Sequence, residues 1–150
     1  MRHLAIDYGT RRVGLAMSDE SGQFVSPLDV LFVTSPAEAV DRVVQLVRRE
    51  EPETIVIGLP INMDTSEGES AKSVRQWAAT LQKSVSLPVV FVDERLTSFE
   101  AEQMLVQQQR SGRKLSRQDK KKRLDAIAAA VILQGYLDGS LPALDALPAE

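Results

Sequence analysis

The connection lengths in the first third of the chain constrain its fold more than any other feature. Residues 2–7 read as a short strand that is nearly all apolar until it meets Asp7. Tyr8-Gly9-Thr10-Arg11 forms a tight turn, with Gly9 supplying conformational freedom. Val13, Leu15 and Met17 then alternate with Arg12, Gly14 and Ala16, the period of two that marks a half-buried strand. Asp19-Glu20-Ser21-Gly22 is a second turn, and residues 23–33 form a third strand broken by Pro27. Two short connections in succession make these strands antiparallel, because parallel neighbours need a long crossover.

After Val33 the pattern changes. Ser35-Pro36 opens a helix as cap and first-turn residue. Val40, Val43, Val44 and Val47 fall on one face of it, and Pro52 ends it. Residues 54–58 are a continuous apolar strand of the buried, parallel kind. A loop (59–65) leads to a helix over 66–85 whose inner face includes Val74, Trp77, Ala78 and Leu81. Residues 87–92 form another buried strand, ending at Asp93-Glu94. A further helix starts near Thr97 or Ser98 and carries Met104 and Leu105. A last helix covers 118–137, with Leu124, Ala128, Val131 and Tyr136 as buried candidates. This order predicts an α/β fold: a mixed five-stranded sheet, three antiparallel strands then two parallel, with helices on both faces. One domain spans 1–138, and 139–150 reads as a flexible C-terminal tail.

The chain has no cysteine, which excludes a disulfide framework and a zinc-thiolate site and suits a reducing cytoplasm. The first apolar stretch stops at Asp7, too early for a signal peptide, and no run approaches the ~20 apolar residues needed to span a bilayer. The net charge of -3 hides an asymmetry. Between Arg110 and Arg123, eight basic residues face only Asp119, so this segment carries +7 and the remainder -10. A local basic patch on an acidic body is compatible with binding phosphate; the competing reading is a solvated charged loop.

Asp7 lies at the end of the first strand, Glu94 just past the end of the last, and Asp125 in the last helix, directly after the basic segment. The expected topology brings the first two to one edge of the sheet, where ligand sites of such sheets lie. Three acids so gathered repel one another unless a cation sits between them. With no histidine or cysteine beside them, the cation is Mg2+ or Mn2+, and two such ions can activate water against a phosphodiester. Each acid taken alone has an ordinary alternative: a strand-end turn for Asp7, an ion pair with Arg95 for Glu94, a helix-dipole partner for Asp125. His3 reads as a strand residue and Trp77 as core; Tyr8 is either turn or stacking surface.

Four stretches, in order, resemble the YqgF/RuvX family: Asp7-Tyr8-Gly9-Thr10-Arg11-Arg12-Val13-Gly14-Leu15-Ala16, residues 58–64 (Gly-Leu-Pro-Ile-Asn-Met-Asp), residues 93–98 (Asp-Glu-Arg-Leu-Thr-Ser), and Leu124-Asp125-Ala126-Ile127-Ala128-Ala129 leading to Tyr136-Leu137. The first alone is shared with sugar kinases and actin-like ATPases, but a single lobe of this length is too small to close over ATP. The resemblance implies an RNase H-like nuclease in which Asp7, Glu94 and Asp125 bind one or two Mg2+ or Mn2+ ions. It implies a nucleic-acid substrate, either the precursor of 16S ribosomal RNA or branched DNA such as a Holliday junction. The alternative is a non-catalytic nucleic-acid-binding or ribosome-associated factor on the same fold. Backbone N–H groups of Gly9 and Thr10 would meet a phosphate. Arg11, Arg95, Arg113, Lys114, Lys120, Lys121 and Lys122 would position the backbone. Asn62 either touches substrate or builds a turn. Symmetric cutting of a junction would call for a homodimer. The chain departs from the family at Thr65, where a glycine usually follows Asn-Met-Asp.

Overall fold

The computed structural model describes residues 1–95, 117–141 and 143–148, excepting the side chains of 117–123. The expected helix near Thr97, with Met104 and Leu105, lies outside these residues, as do Arg113 and Lys114. Strands β1 (His3–Tyr8), β2 (Arg12–Ser18) and β3 (Val25–Phe32) form the expected meander. Helix α1 (Pro36–Glu50), β4 (Thr54–Leu59), α2 (Glu69–Val85), β5 (Val89–Asp93), α3 (Arg117–Asp138) and β6 (Ala143–Leu147) follow. The sheet order is β3-β2-β1-β4-β5-β6, with β1, β4 and β5 parallel. Among the described residues there are thus six strands where five were expected. The sixth lies in the segment read as a tail, antiparallel to β5.

The caps follow local chemistry. Ser35 accepts a hydrogen bond from the Glu38 N–H at 3.1 Å, Pro36 occupies the first turn, and Glu38 accepts from Thr34 in return. Pro27 is tolerated because β3 is an edge strand, and the β2–β3 register shifts beside it.

Alternation along the strands gives the sheet two unlike faces. Leu4, Ile6, Val13, Leu15, Ile55, Ile57 and Phe91 pack against Val40, Val43 and Val44 of α1 and Val74, Trp77 and Leu81 of α2. Each fully buried Leu or Ile there contributes about 1.5–3 kcal/mol relative to exposure, so this face holds the larger share of the core. The opposite face is lined by small side chains, Ala5 and Ala16 with Val56 and Val92, against Ala129, Ala130, Ile132 and Leu133 of α3. Small residues on both sides let α3 approach the sheet closely. Of the expected inner residues of α3, Val131 is buried, whereas Leu124, Ala128 and Tyr136 are half-buried. Trp77 is core, and its indole N–H donates to the Pro36 carbonyl at 3.2 Å.

Candidate active site

Asp7 is the penultimate residue of β1 and shares the α3 face with Ala5. Its cross-strand partner on β2 is Gly14. On the other side Ile6 pairs with Ile57, and continuing that register sets Asp7 beside Gly58. Asp7 is therefore flanked by a glycine on each neighbouring strand, and the space above each is filled by another acid. A Cβ on Gly14 would stand 2.1 Å from the backbone oxygen of Asp125. A Cβ on Gly58 would stand 2.5 Å from Glu94 Oε2 and 2.7 Å from Ile132 Cδ1. The two glycines admit, respectively, the helix that carries Asp125 and the side chain of Glu94. Their role was not read from the sequence, although a glycine inside a strand is itself a signal of close approach.

The electrostatics reflect this crowding. Burial first, then the charge of Asp125, pushes Asp7 up to about 6. Burial first, then the charge of Asp7 and a hydrogen bond with it, pushes Glu94 up to about 8. Near neutral pH, Glu94 thus holds a proton that it shares with Asp7. Burial also raises Asp125, against the pull of Arg12. Arg12 Nε lies 3.0 Å from Asp125 Oδ2. That oxygen is shut off from solvent and receives no aligned N–H, so the ion pair attracts it without satisfying it as a hydrogen bond would. Among the described residues, no three acids or histidines are already gathered as ligands around one point. Asp7 instead joins two pairs, one with Glu94 and one with Asp125.

The expected alternatives for the acids resolve differently. Arg95 pairs with Asp93, at 2.7 Å, so it is engaged at the end of β5. Asp125 stands more than two turns into α3 and is no first-turn dipole partner. A cleft of about 610 Å³ opens beside Asp7 and Asp125, walled by the turn from Tyr8 to Arg12 and by Phe32. Arg11 is exposed on this wall and, among the described residues, makes no ion pair. The Gly9 N–H donates to the Arg12 carbonyl at 2.9 Å and closes the turn. Gly9 is required there for space, since a Cβ would stand 2.7 Å from that carbonyl, and its φ is not in the left-handed region. Tyr8 stacks on Trp77, with ring centroids 4.3 Å apart. Asn62 donates to Ser66 Oγ at 3.1 Å, and Asp64 accepts from the Ser66 N–H at 3.0 Å, so both build their own loop. Thr65 completes that turn at φ 70°, a conformation glycine adopts freely. The backbone of Lys120, Lys121 and Lys122 lies in α3, and their side chains fall outside the described residues.

Residues 1–139 match the family described as "RuvX: Holliday junction resolvase". A protein of Anaeromyxobacter sp. (strain Fw109-5), named "Putative pre-16S rRNA nuclease", is 43% identical over 139 residues, covering 93% of this chain and 98% of its own. One of the same name from Halothermothrix orenii is 39% identical over 138 residues, covering 92% and 95%. Among solved structures, T. thermophilus RuvC in complex with Holliday junction substrate superposes with TM-score 0.60 at 16% identity, covering 96% of this chain and 99% of that one. The fowlpox virus Holliday junction resolvase gives 0.56 at 12%, covering 93% and 99%. At such identities these two structures establish the fold, which is the RNase H-like architecture expected from the sequence.

Proposed function

This chain belongs to the RuvX family, and from that premise we propose that it is a metal-dependent endonuclease acting on structured nucleic acid in the cytoplasm. The observation that carries the reading is the set of acids around Asp7. Glu94 and Asp125 each stand against Asp7 at one edge of the sheet, all three with raised pKa, and Asp125 has a buried oxygen without a hydrogen-bond partner among the described residues. Such crowding destabilises the fold and has a return only if a ligand uses it.

The donor set fits a hard cation: carboxylate oxygens only, one of them without a hydrogen bond among the described residues. Asp7, Glu94 and Asp125 would hold Mg2+ or Mn2+, which supplies a nucleophilic water at neutral pH and neutralises charge developing on the phosphate. The protein's own contributions follow from the cleft. Arg11 offers on the wall a guanidinium that makes no ion pair among the described residues, suited to a phosphate oxygen. Arg12 pairs with Asp125 and pulls its pKa down against the larger effect of burial, which raises it. Glu94 must release its shared proton before all three acids can act as ligands. The basic segment from Arg110 to Arg123 leads into Asp125 along the chain and supplies cations for flanking phosphates. The names of relatives point to precursor 16S rRNA, and the fold to four-way DNA junctions. Symmetric cutting of a junction takes two such clefts, hence a dimer.

The test is cleavage of a labelled Holliday junction and of a 16S precursor fragment by the wild-type protein and by Asp7→Asn, in Mn2+, Mg2+ or EDTA. Cutting of either substrate that requires both metal and Asp7 is the expected outcome and identifies the preferred nucleic acid. Tight binding without cutting of either would refute the enzyme and leave a binding factor on the same fold.

A further inference from the structure

We propose that Phe32 is a stacking platform for an unpaired nucleobase next to the phosphate that enters the acid cleft; this deepens the nuclease reading and rests on it. Phe32 ends β3 directly opposite Arg12. Gly14 pairs with Asp7 on one side and Val30 on the other, and Phe32 follows Val30 by two residues. The Phe32 ring therefore emerges on the face of the sheet that carries Asp7 and Asp125, and it lines their cleft together with Arg11.

The position is rigid while the ring is open. Leu31 and Val33, on either side, are buried. The Phe32 carbonyl accepts from Arg42 at 2.7 Å, and the Val33 N–H donates to the Arg11 carbonyl at 2.9 Å. The side chain itself remains 56% exposed. A single exposed phenylalanine is ordinary, and Phe24, 70% exposed at the far end of the same strand pair, is such a case. What distinguishes Phe32 is its place on the cleft wall. Of the two aromatic residues there, Tyr8 is already committed to Trp77. An aromatic face beside the exposed Arg11 guanidinium suits a base and its phosphate. A paired base keeps its faces inside the duplex, so the site selects a nucleotide that is unpaired or splayed out. RNA and DNA offer the same chemistry, and the wall makes no distinction between them.

The experiment is fluorescence anisotropy in Ca2+ with two labelled probes, a duplex bearing a single-stranded flank and the same duplex fully paired, each made as RNA and as DNA. Phe32→Ala is expected to weaken binding of the flanked probe about tenfold whichever sugar it carries, and to leave the fully paired probe unchanged. Phe32→Trp should restore the affinity, and Phe24→Ala should change neither probe. Unchanged binding of the flanked probe by Phe32→Ala, or an equal loss on both probes, would overturn the proposal. If that happens while the wild-type protein still cuts with metal and Asp7, the nuclease reading stands without the platform. If the wild-type protein binds no probe at all, both fall together.

Discussion

At the scale of single residues, the site is made by what is missing as much as by what is present. Asp7 could not have Asp125 and Glu94 as neighbours if Gly14 and Gly58 carried side chains. The two positions differ in what a methyl group would meet. At Gly14 it meets backbone, which moves only if α3 moves; at Gly58 it meets the ends of Glu94 and Ile132, which can rotate. Gly14→Ala is therefore expected to cost about 1–3 kcal/mol by urea denaturation and to abolish cutting. Gly58→Ala should cost less stability while lowering cutting severely, because Glu94 is displaced. Equal stability losses for the two would show that α3 is not held against β2 as described. Thr65 makes a second residue-scale case. A β-branched residue at φ 70° is strained by about 1–2 kcal/mol relative to glycine. Thr65→Gly should raise the melting temperature without altering activity, and a fall would mean the threonine side chain makes a compensating contact. Asp7 and Glu94 stood out in the sequence because each sits at the end of a readable strand, and Asp125 because the basic run stops just before it. Their arrangement did not, because pairing register and side-chain room are long-range properties.

At the scale of elements, α3 and β6 show two ways in which local pattern succeeds or fails. Helix α3 changes character along its length, basic through Arg123 and then apolar from Ala126 onward, with Asp125 at the boundary. That division was visible in the sequence and places the acid where the helix meets the sheet. Strand β6 carried no such mark: five residues between prolines, mostly exposed, in a segment that reads as a tail. It is held by side chains far away in the chain. Arg75 binds both Asp145 oxygens, at 2.8 and 3.0 Å, while also pairing with Glu67 and lying over the Phe91 ring. Gln82, buried, donates to the carbonyls of Leu147 and Pro148. Arg75→Ala should therefore release β6 selectively. Amide exchange at residues 143–147 is expected to accelerate at least about tenfold, with global stability changed by no more than about 1 kcal/mol. Protection that survives the substitution would assign β6 to its backbone pairing with β5 and to Gln82.

At the scale of the whole molecule, the acid cluster ties folding to pH, and on the proposed reading to metal as well. Asp7 and Glu94 titrate well above their ordinary values near 3.8 and 4.5, so the folded protein holds protons that the unfolded chain gives up. The stability linked to these protons is fully present below about pH 4 and is lost as pH rises through about 6 and then about 8. The metal-free protein should thus melt at progressively lower temperature between pH 5 and pH 8. Asp7→Asn, which removes one charge and relieves the burden on Glu94, should flatten that decline. A bound cation competes with the same protons and binds only the folded arrangement. The gap between melting temperatures in Mn2+ and in EDTA is therefore expected to widen with pH, and to close in the Asp7→Asn protein at every pH. A gap independent of pH would place the metal elsewhere on the molecule. A decline in the metal-free protein that persists unchanged in Asp7→Asn would trace the lost stability to other groups. The opposed charges of the chain give the argument a second edge. On the proposed reading, the acidic body repels nucleic acid, and the attraction would come from the basic segment and from a cation held by the cluster. Metal binding and substrate binding should then be coupled in the same direction, each strengthening the other, with the coupling strongest above about pH 8, where the acids have released their protons.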